Sequence, residues 1–92
     1  MWRKNRRPAG SCIGTDLNRN FGYMWNMGGS SGSACSDTFH GGAPMSENES
    51  KALQSYMTGK SWTTYLTFHS YGQYVLADFL IPKNRLYRLC HF

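Results

Sequence analysis

Three stretches of the chain carry a readable hydrophobic period, separated by polar or glycine-rich sequence. Ala52, Leu53, Tyr56 and Met57 recur at helical spacing and mark one apolar helix face. Ser46-Glu47-Asn48-Glu49 ahead of them fits a capping box, with Ser46 at the N-cap and Glu49 three residues on. Gly59 supplies a stop. From Ser61 to His69 the residues are β-branched, aromatic or aliphatic, which predicts a strand, and a further strand is expected to begin between Gln73 and Leu76. Ser11 to Thr15 reads as a short strand behind a turn at Pro8-Ala9-Gly10. Gly22 to Gly42 shows no period and reads as a long irregular loop, unusual inside a compact domain. A helix followed by a strand indicates the α/β class.

Ninety-two residues allow one small domain at most. The 40% hydrophobic and 15% aromatic content is that of a globular chain, not a disordered one. No run is apolar enough to cross a membrane. The formal net charge is +5, and four basic residues crowd between Arg3 and Arg7, beside Trp2. Such a cluster is compatible with nucleic acid, but no basic stripe or nucleic-acid motif follows, so we expect a solvated or substrate-facing loop and no nucleic-acid partner. The cysteines are Cys12, Cys35 and Cys90, without the C-x-x-C spacing of a metal site.

Candidate chemistry concentrates in Cys12-Ile13-Gly14-Thr15-Asp16-Leu17-Asn18-Arg19-Asn20-Phe21. Two amides beside a guanidinium suit recognition of a carboxylate, because Arg presents a planar fork of donors and Asn adds amide donors. A plain turn is the competing reading, since Asn and Asp bond their own backbone readily. Asp16, close to Arg19, reads as a structural anion in a local ion pair or turn bond. His40 has no second ligand three or four residues on and reads as a loop histidine. Glu47 and Glu49 read as helix-start acids, not a catalytic pair. Asn48-Glu49-Ser50 matches the N-glycosylation pattern.

The Cys12–Phe21 segment resembles the part of the pancreatic-type zinc metallocarboxypeptidases, the carboxypeptidase A/B family, that holds a substrate's C-terminal carboxylate. Trp2-Arg3-Lys4-Asn5-Arg6 is similar to that family's Trp-Arg-Lys segment. Cys35-Ser36-Asp37-Thr38-Phe39-His40-Gly41 with Ser46-Glu47-Asn48-Glu49 resembles its Cys-x-x-Thr-Tyr-x-Gly…Ser-Glu-x-Glu run. Thr67-Phe68-His69-Ser70-Tyr71-Gly72-Gln73 resembles the strand end that carries its third zinc ligand. The motifs stand in family order, so residues 1–76 are identified as a partial peptidase domain and 77–92 as a divergent tail.

The resemblance implies a piece of a mixed-sheet fold with helices packed on the sheet, incomplete as it stands. It implies that Arg3 polarises the scissile carbonyl, that Asn18 and Arg19 bind the terminal carboxylate, and that Ser70 and Tyr71 line the subsite before the scissile bond. It implies that His69 is a zinc ligand, and that Cys12 and Cys35 form a disulfide in an oxidising, secretory compartment. The parent enzyme would use Zn2+ to remove C-terminal residues from peptides and proteins, as a secreted monomer. Each of His40, His69 and His91 lacks a Glu three residues on, so the family's His-x-x-Glu ligand pair is absent, as is its general-base Glu. We therefore expect this chain alone to hold no zinc and to be inactive. The alternative is a degenerate module that binds peptide C-termini without cleaving them. No apolar leader precedes Trp2, so we expect the natural N-terminus to lie further upstream.

Overall fold

Gly10 and Ser11 turn the chain back on itself, Gly10 at φ +64°. The turn joins β1 (Pro8–Ala9) to β2 (Cys12–Ile13) in antiparallel register, Pro8 opposite Ile13 and Ala9 opposite Cys12. The expected turn at Pro8-Ala9-Gly10 is thus a strand end followed by a turn, and the expected strand is shorter than Ser11–Thr15. The pairing nevertheless runs on through isolated backbone bonds, Gly14 N to Arg7 O at 2.7 Å and Asn5 N to Thr15 O at 2.9 Å. This computed structural model describes residues 1–69, and the backbone of one further strand over 74–79.

After Thr15 the chain enters a 3-10 turn, Leu17–Arg19. Asp16 caps it: its carboxylate accepts the Asn18 backbone N–H at 3.2 Å. Such a cap satisfies a donor that the turn itself leaves unpaired.

The long loop is irregular, as expected, and is fixed mostly by polar contacts. The Cys12–Cys35 disulfide ties it to the hairpin, with Cα atoms 5.2 Å apart. Ser31 and Phe39 form a parallel bridge, through Ser31 N to Thr38 O and His40 N to Ser31 O, both 3.0 Å. Trp25 Nε1 donates to His40 O at 3.0 Å. Lys4 is buried and its ammonium donates to Ala34 O at 2.9 Å, so the basic cluster is not wholly a solvated face.

Helix α1 (Asn48–Met57) follows. The expected capping box does not form. Glu47 occupies the N-cap position without a side-chain cap bond, because the Ser46 hydroxyl is committed elsewhere, donating to Glu47 Oε2 at 2.6 Å and accepting from Asn20 Nδ2 at 2.9 Å. The helix ends where expected, with Gly59 at φ +80° just beyond Thr58. Of the expected apolar face only Met57 is buried; Ala52, Leu53 and Tyr56 are exposed.

Strand β3 (Thr64–His69) starts later than expected and ends on His69. It pairs antiparallel with β4 (Tyr74–Phe79), from Thr64 opposite Phe79 to His69 opposite Tyr74. Exposed Thr64, Leu66 and Phe68 alternate with half-buried Tyr65, Thr67 and His69, the period of a strand with one covered face. Both sheets among the described residues are two-stranded and antiparallel.

The interior is unusual in kind. Among the described residues the buried hydrophobics are Phe39 and Met57, whereas Lys4, Thr15, Asp16, Asn20, His40, Glu47 and Ser50 are all buried. Buried polar groups of this sort persist when hydrogen-bonded, and the centre of this chain is largely such a network, the Ser50 hydroxyl and His40 Nε2 being buried without a partner.

Candidate functional site

The site begins at Asp16. Its side chain is 4% exposed, and both predicted functional arginines converge on one of its oxygens. Arg3 Nε donates to Asp16 Oδ2 at 2.7 Å, and Arg19 Nε lies 3.9 Å from the same atom. The ion pair expected with Arg19 is therefore present but is the looser of the two. The closer partner, Arg3, is thirteen positions away, beyond the reach of local pattern. A short charge-assisted bond of this kind fixes the guanidinium plane.

The other Asp16 oxygen accepts the Asn18 N–H, so Arg3, Asn18 and Arg19 are all referred to one buried carboxylate. Their environments differ. Arg3 keeps about half its side chain exposed, at 48%, while Arg19 shows 18% and its buried Nε has no hydrogen-bond partner. Two guanidinium groups tied to one carboxylate keep a net positive charge and further N–H donors, which is chemistry able to take a carboxylate. A cavity of about 330 Å³ opens beside Asn18, walled by Leu17, Phe21, Leu53, Tyr65 and Thr67 with Glu49 and Ser50 of α1.

A second cluster supports this one from behind. Asn20 is fully buried, and its amide donates to His40 O at 2.9 Å, Ala43 O at 3.2 Å and Ser46 Oγ at 2.9 Å. Its oxygen accepts the Glu47 backbone N–H at 3.2 Å. The Glu47 carboxylate, 2% exposed as a residue, accepts from Asn5 Nδ2 at 2.9 Å, Arg7 Nη1 at 3.0 Å and Ser46 Oγ. Burial pushes the Glu47 carboxyl up, but the bonds from Ser46 and Asn5, the Arg7 charge and a bond from Thr15 outweigh it and hold the group below its usual range. Asn5 in turn accepts Thr15 N at 2.8 Å. The network thus links the segment carrying Arg3 to the one carrying Asp16. In sequence Glu47 reads only as a helix-start acid; a single Glu before a helix carries no mark of a buried partner.

His69 stands at the end of β3, half-buried, with its Nε2 3.2 Å from Thr67 Oγ1. Ser70 and Tyr71 lie outside the described residues. His40 is buried, packed edge-on against Trp25 at 4.4 Å between ring centroids, with Nδ1 2.9 Å from Gly41 O. It lies in the irregular loop, as expected, and is buried there.

Among the described residues no three His, Cys, Asp or Glu side chains come together as a metal site. Catalytic zinc takes three protein ligands and one open position. The described residues do not fit a zinc ion by themselves.

Comparison with known proteins agrees with these motifs. A family model described as zinc carboxypeptidase matches residues 1–85. The chain is 47% identical over 81 residues to zinc carboxypeptidase A 1 of Drosophila melanogaster, covering 86% of this chain and 19% of that protein. It is 46% identical over 94 residues to carboxypeptidase B of Bos taurus, covering 94% of this chain and 22% of that protein. Its structure is similar to that of the carboxypeptidase A from Helicoverpa armigera, with a TM-score of 0.56 and 51% identity over 62% of this chain and 15% of that one. The chain therefore spans about a fifth of the length of the curated relatives it matches.

Proposed function

Since the chain belongs to the zinc carboxypeptidase family, we propose that it is a central piece of a secreted, zinc-dependent enzyme that removes C-terminal residues from peptides and proteins, and that the piece alone is inactive. The observation that carries this reading is the convergence of Arg3, Asn18 and Arg19 on Asp16. Asn18 and Arg19 take the free carboxylate of the peptide. That anchor makes an exopeptidase, because a chain continuing past the cleaved residue has no charge to offer it. Arg3, held at Nε by Asp16 and half-exposed, polarises the scissile carbonyl and steadies the oxyanion that forms there. His69 is one ligand of the zinc, and Ser70 and Tyr71 face the preceding residue of the substrate. The remaining ligands and the general base belong to parts of the parent enzyme outside this chain. The disulfide supports an oxidising, secretory setting.

The same cluster supports a second reading, a module that holds peptide C-termini without cleaving them. One experiment separates the two. The purified 92-residue chain, with zinc supplied, is offered peptides with a free or an amidated C-terminus. The first reading expects no cleavage by the chain, and cleavage of the free peptide by the longer protein, lost in Arg3→Ala and in Arg19→Ala. Cleavage by the chain itself, abolished by chelation, would refute inactivity. Binding by the chain that is lost on amidation favours the second reading. Undiminished cleavage by the longer Arg19→Ala protein would remove the carboxylate anchor.

A further inference from the structure

We propose that Asn48 is an N-linked glycan site, accepting an oligosaccharide from a diphosphate-linked lipid donor in the secretory pathway. Three observations converge on it. Asn48-Glu49-Ser50 has the acceptor pattern, with no proline at its centre. Asn48 is exposed and is the first residue of α1, so its side-chain amide has room for a bulky substituent. The Cys12–Cys35 disulfide belongs to the compartment in which this transfer takes place, so the inference rests on the secretory part of the proposed function.

The geometry also fixes the order of events. Ser50 is 1% exposed, and its hydroxyl is buried without a hydrogen-bond partner. In the folded chain a transferase cannot reach that hydroxyl, which the acceptor pattern requires, so transfer precedes the closing of α1. In the step itself, the bond from the sugar's anomeric carbon to the donor phosphate breaks and a bond to Asn48 Nδ2 forms. The amide gives up one proton and the lipid diphosphate leaves. The folded product then accommodates the sugar at the mouth of an open groove of about 490 Å³, flanked by Asn5, Arg6, Arg7, Ser46 and Lys51. Hydroxyl-rich sugar beside these polar side chains stays solvated, as surface glycans are.

The test is peptide mapping of the full-length protein secreted from cultured animal cells, before and after treatment with peptide N-glycosidase, with the state of Cys12 and Cys35 read in the same digest. The expected result is a disulfide-linked protein whose Asn48 peptide carries hexose and N-acetylhexosamine. Enzyme treatment strips the sugar and leaves a side-chain carboxylic acid in place of the Asn48 amide. Asn48→Gln abolishes the glycan at this exposed position, and Ser50→Thr retains it. A disulfide-linked protein bearing only unmodified Asn48 overturns the proposal and leaves the secretory reading intact. Reduced cysteines with unmodified Asn48 overturn both.

Discussion

Replacing Glu47 with glutamine removes one charge and almost no volume, at the centre of the buried network. The wild-type carboxylate receives only donors: Asn5 on one oxygen, Arg7 and Ser46 on the other, with a further bond from Thr15. A glutamine amide must turn its NH2 toward one of these sets. Asn5 cannot flip to receive it, because its oxygen is already taken by Thr15 N at 2.8 Å and Arg7 N at 3.3 Å. On the other side, Arg7 is a donor whatever its rotamer. The Ser46 and Thr15 hydroxyls can rotate to accept, but Asn5 and Arg7 cannot, so one donor of the network is left facing the new NH2, which costs about 1–3 kcal/mol. The lost attraction to Arg7, more than half-exposed, adds at most about 1 kcal/mol. We therefore expect Glu47→Gln to destabilise the chain by about 1–4 kcal/mol near neutral pH.

The pH dependence is a sharper test than the magnitude. The native carboxyl is held below its ordinary value of 4.5, so Glu47 contributes stability that is fully present above that pH. As pH falls through the lowered native value, the unfolded chain has already taken up its proton and the contribution is lost. Glutamine does not titrate. Urea unfolding of wild type and Glu47→Gln, with the disulfide intact, should therefore show a gap that narrows from neutral pH to about pH 3. A gap constant over that range would refute the assignment of Glu47 as a buried, charged acceptor. So would a difference below about 0.5 kcal/mol at neutral pH.

Asn20→Asp should destabilise more than Asn20→Ala, because it sets a carboxylate against the His40 and Ala43 carbonyls where the amide now donates; urea midpoints of the two variants decide it. Gly41→Ala should be far more damaging than Gly10→Ala, although both sit at positive φ, since a methyl at Gly41 would lie 2.6 Å from both Asn20 Nδ2 and Ser46 Oγ while none meets anything at Gly10. About 1 kcal/mol is expected at Gly10 and a multiple of it at Gly41, read from thermal melts. Replacing both Cys12 and Cys35 with Ser should cost about 3 kcal/mol, from releasing a loop with a sequence separation of 23, measured by urea unfolding of the oxidised protein and the variant.

What sequence could and could not reveal divides by range. The 3-10 turn with its Asp16 cap, the C-terminal stop of α1 and the alternation of β3 depend on neighbours within a few positions, and such features are readable. The capping box fails because Ser46 finds Asn20, twenty-six positions back, and Glu47 next to it; local pattern cannot weigh a distant competitor. The apolar face of α1 lies on the helix as expected, yet only Met57 is covered among the described residues. Periodicity reports which side seeks cover, not what covers it. Arg3, Asn18 and Arg19 stand out as residue types in family order, but their common tie to Asp16 needs coordinates, as does the burial of Lys4 on the Ala34 carbonyl.

An interior built on Asn20 and Glu47 instead of on aliphatic side chains also sets how stability responds to heat. Exposing apolar surface raises the heat capacity on unfolding, and exposing amides and carboxylates lowers it. With Phe39 and Met57 the buried hydrophobics among the described residues, the polar contribution takes back more of the apolar one here than it would around an aliphatic core. Its stability curve should be flatter than that of a domain of equal length with an aliphatic core, and calorimetry should record an unfolding enthalpy that rises less steeply with temperature.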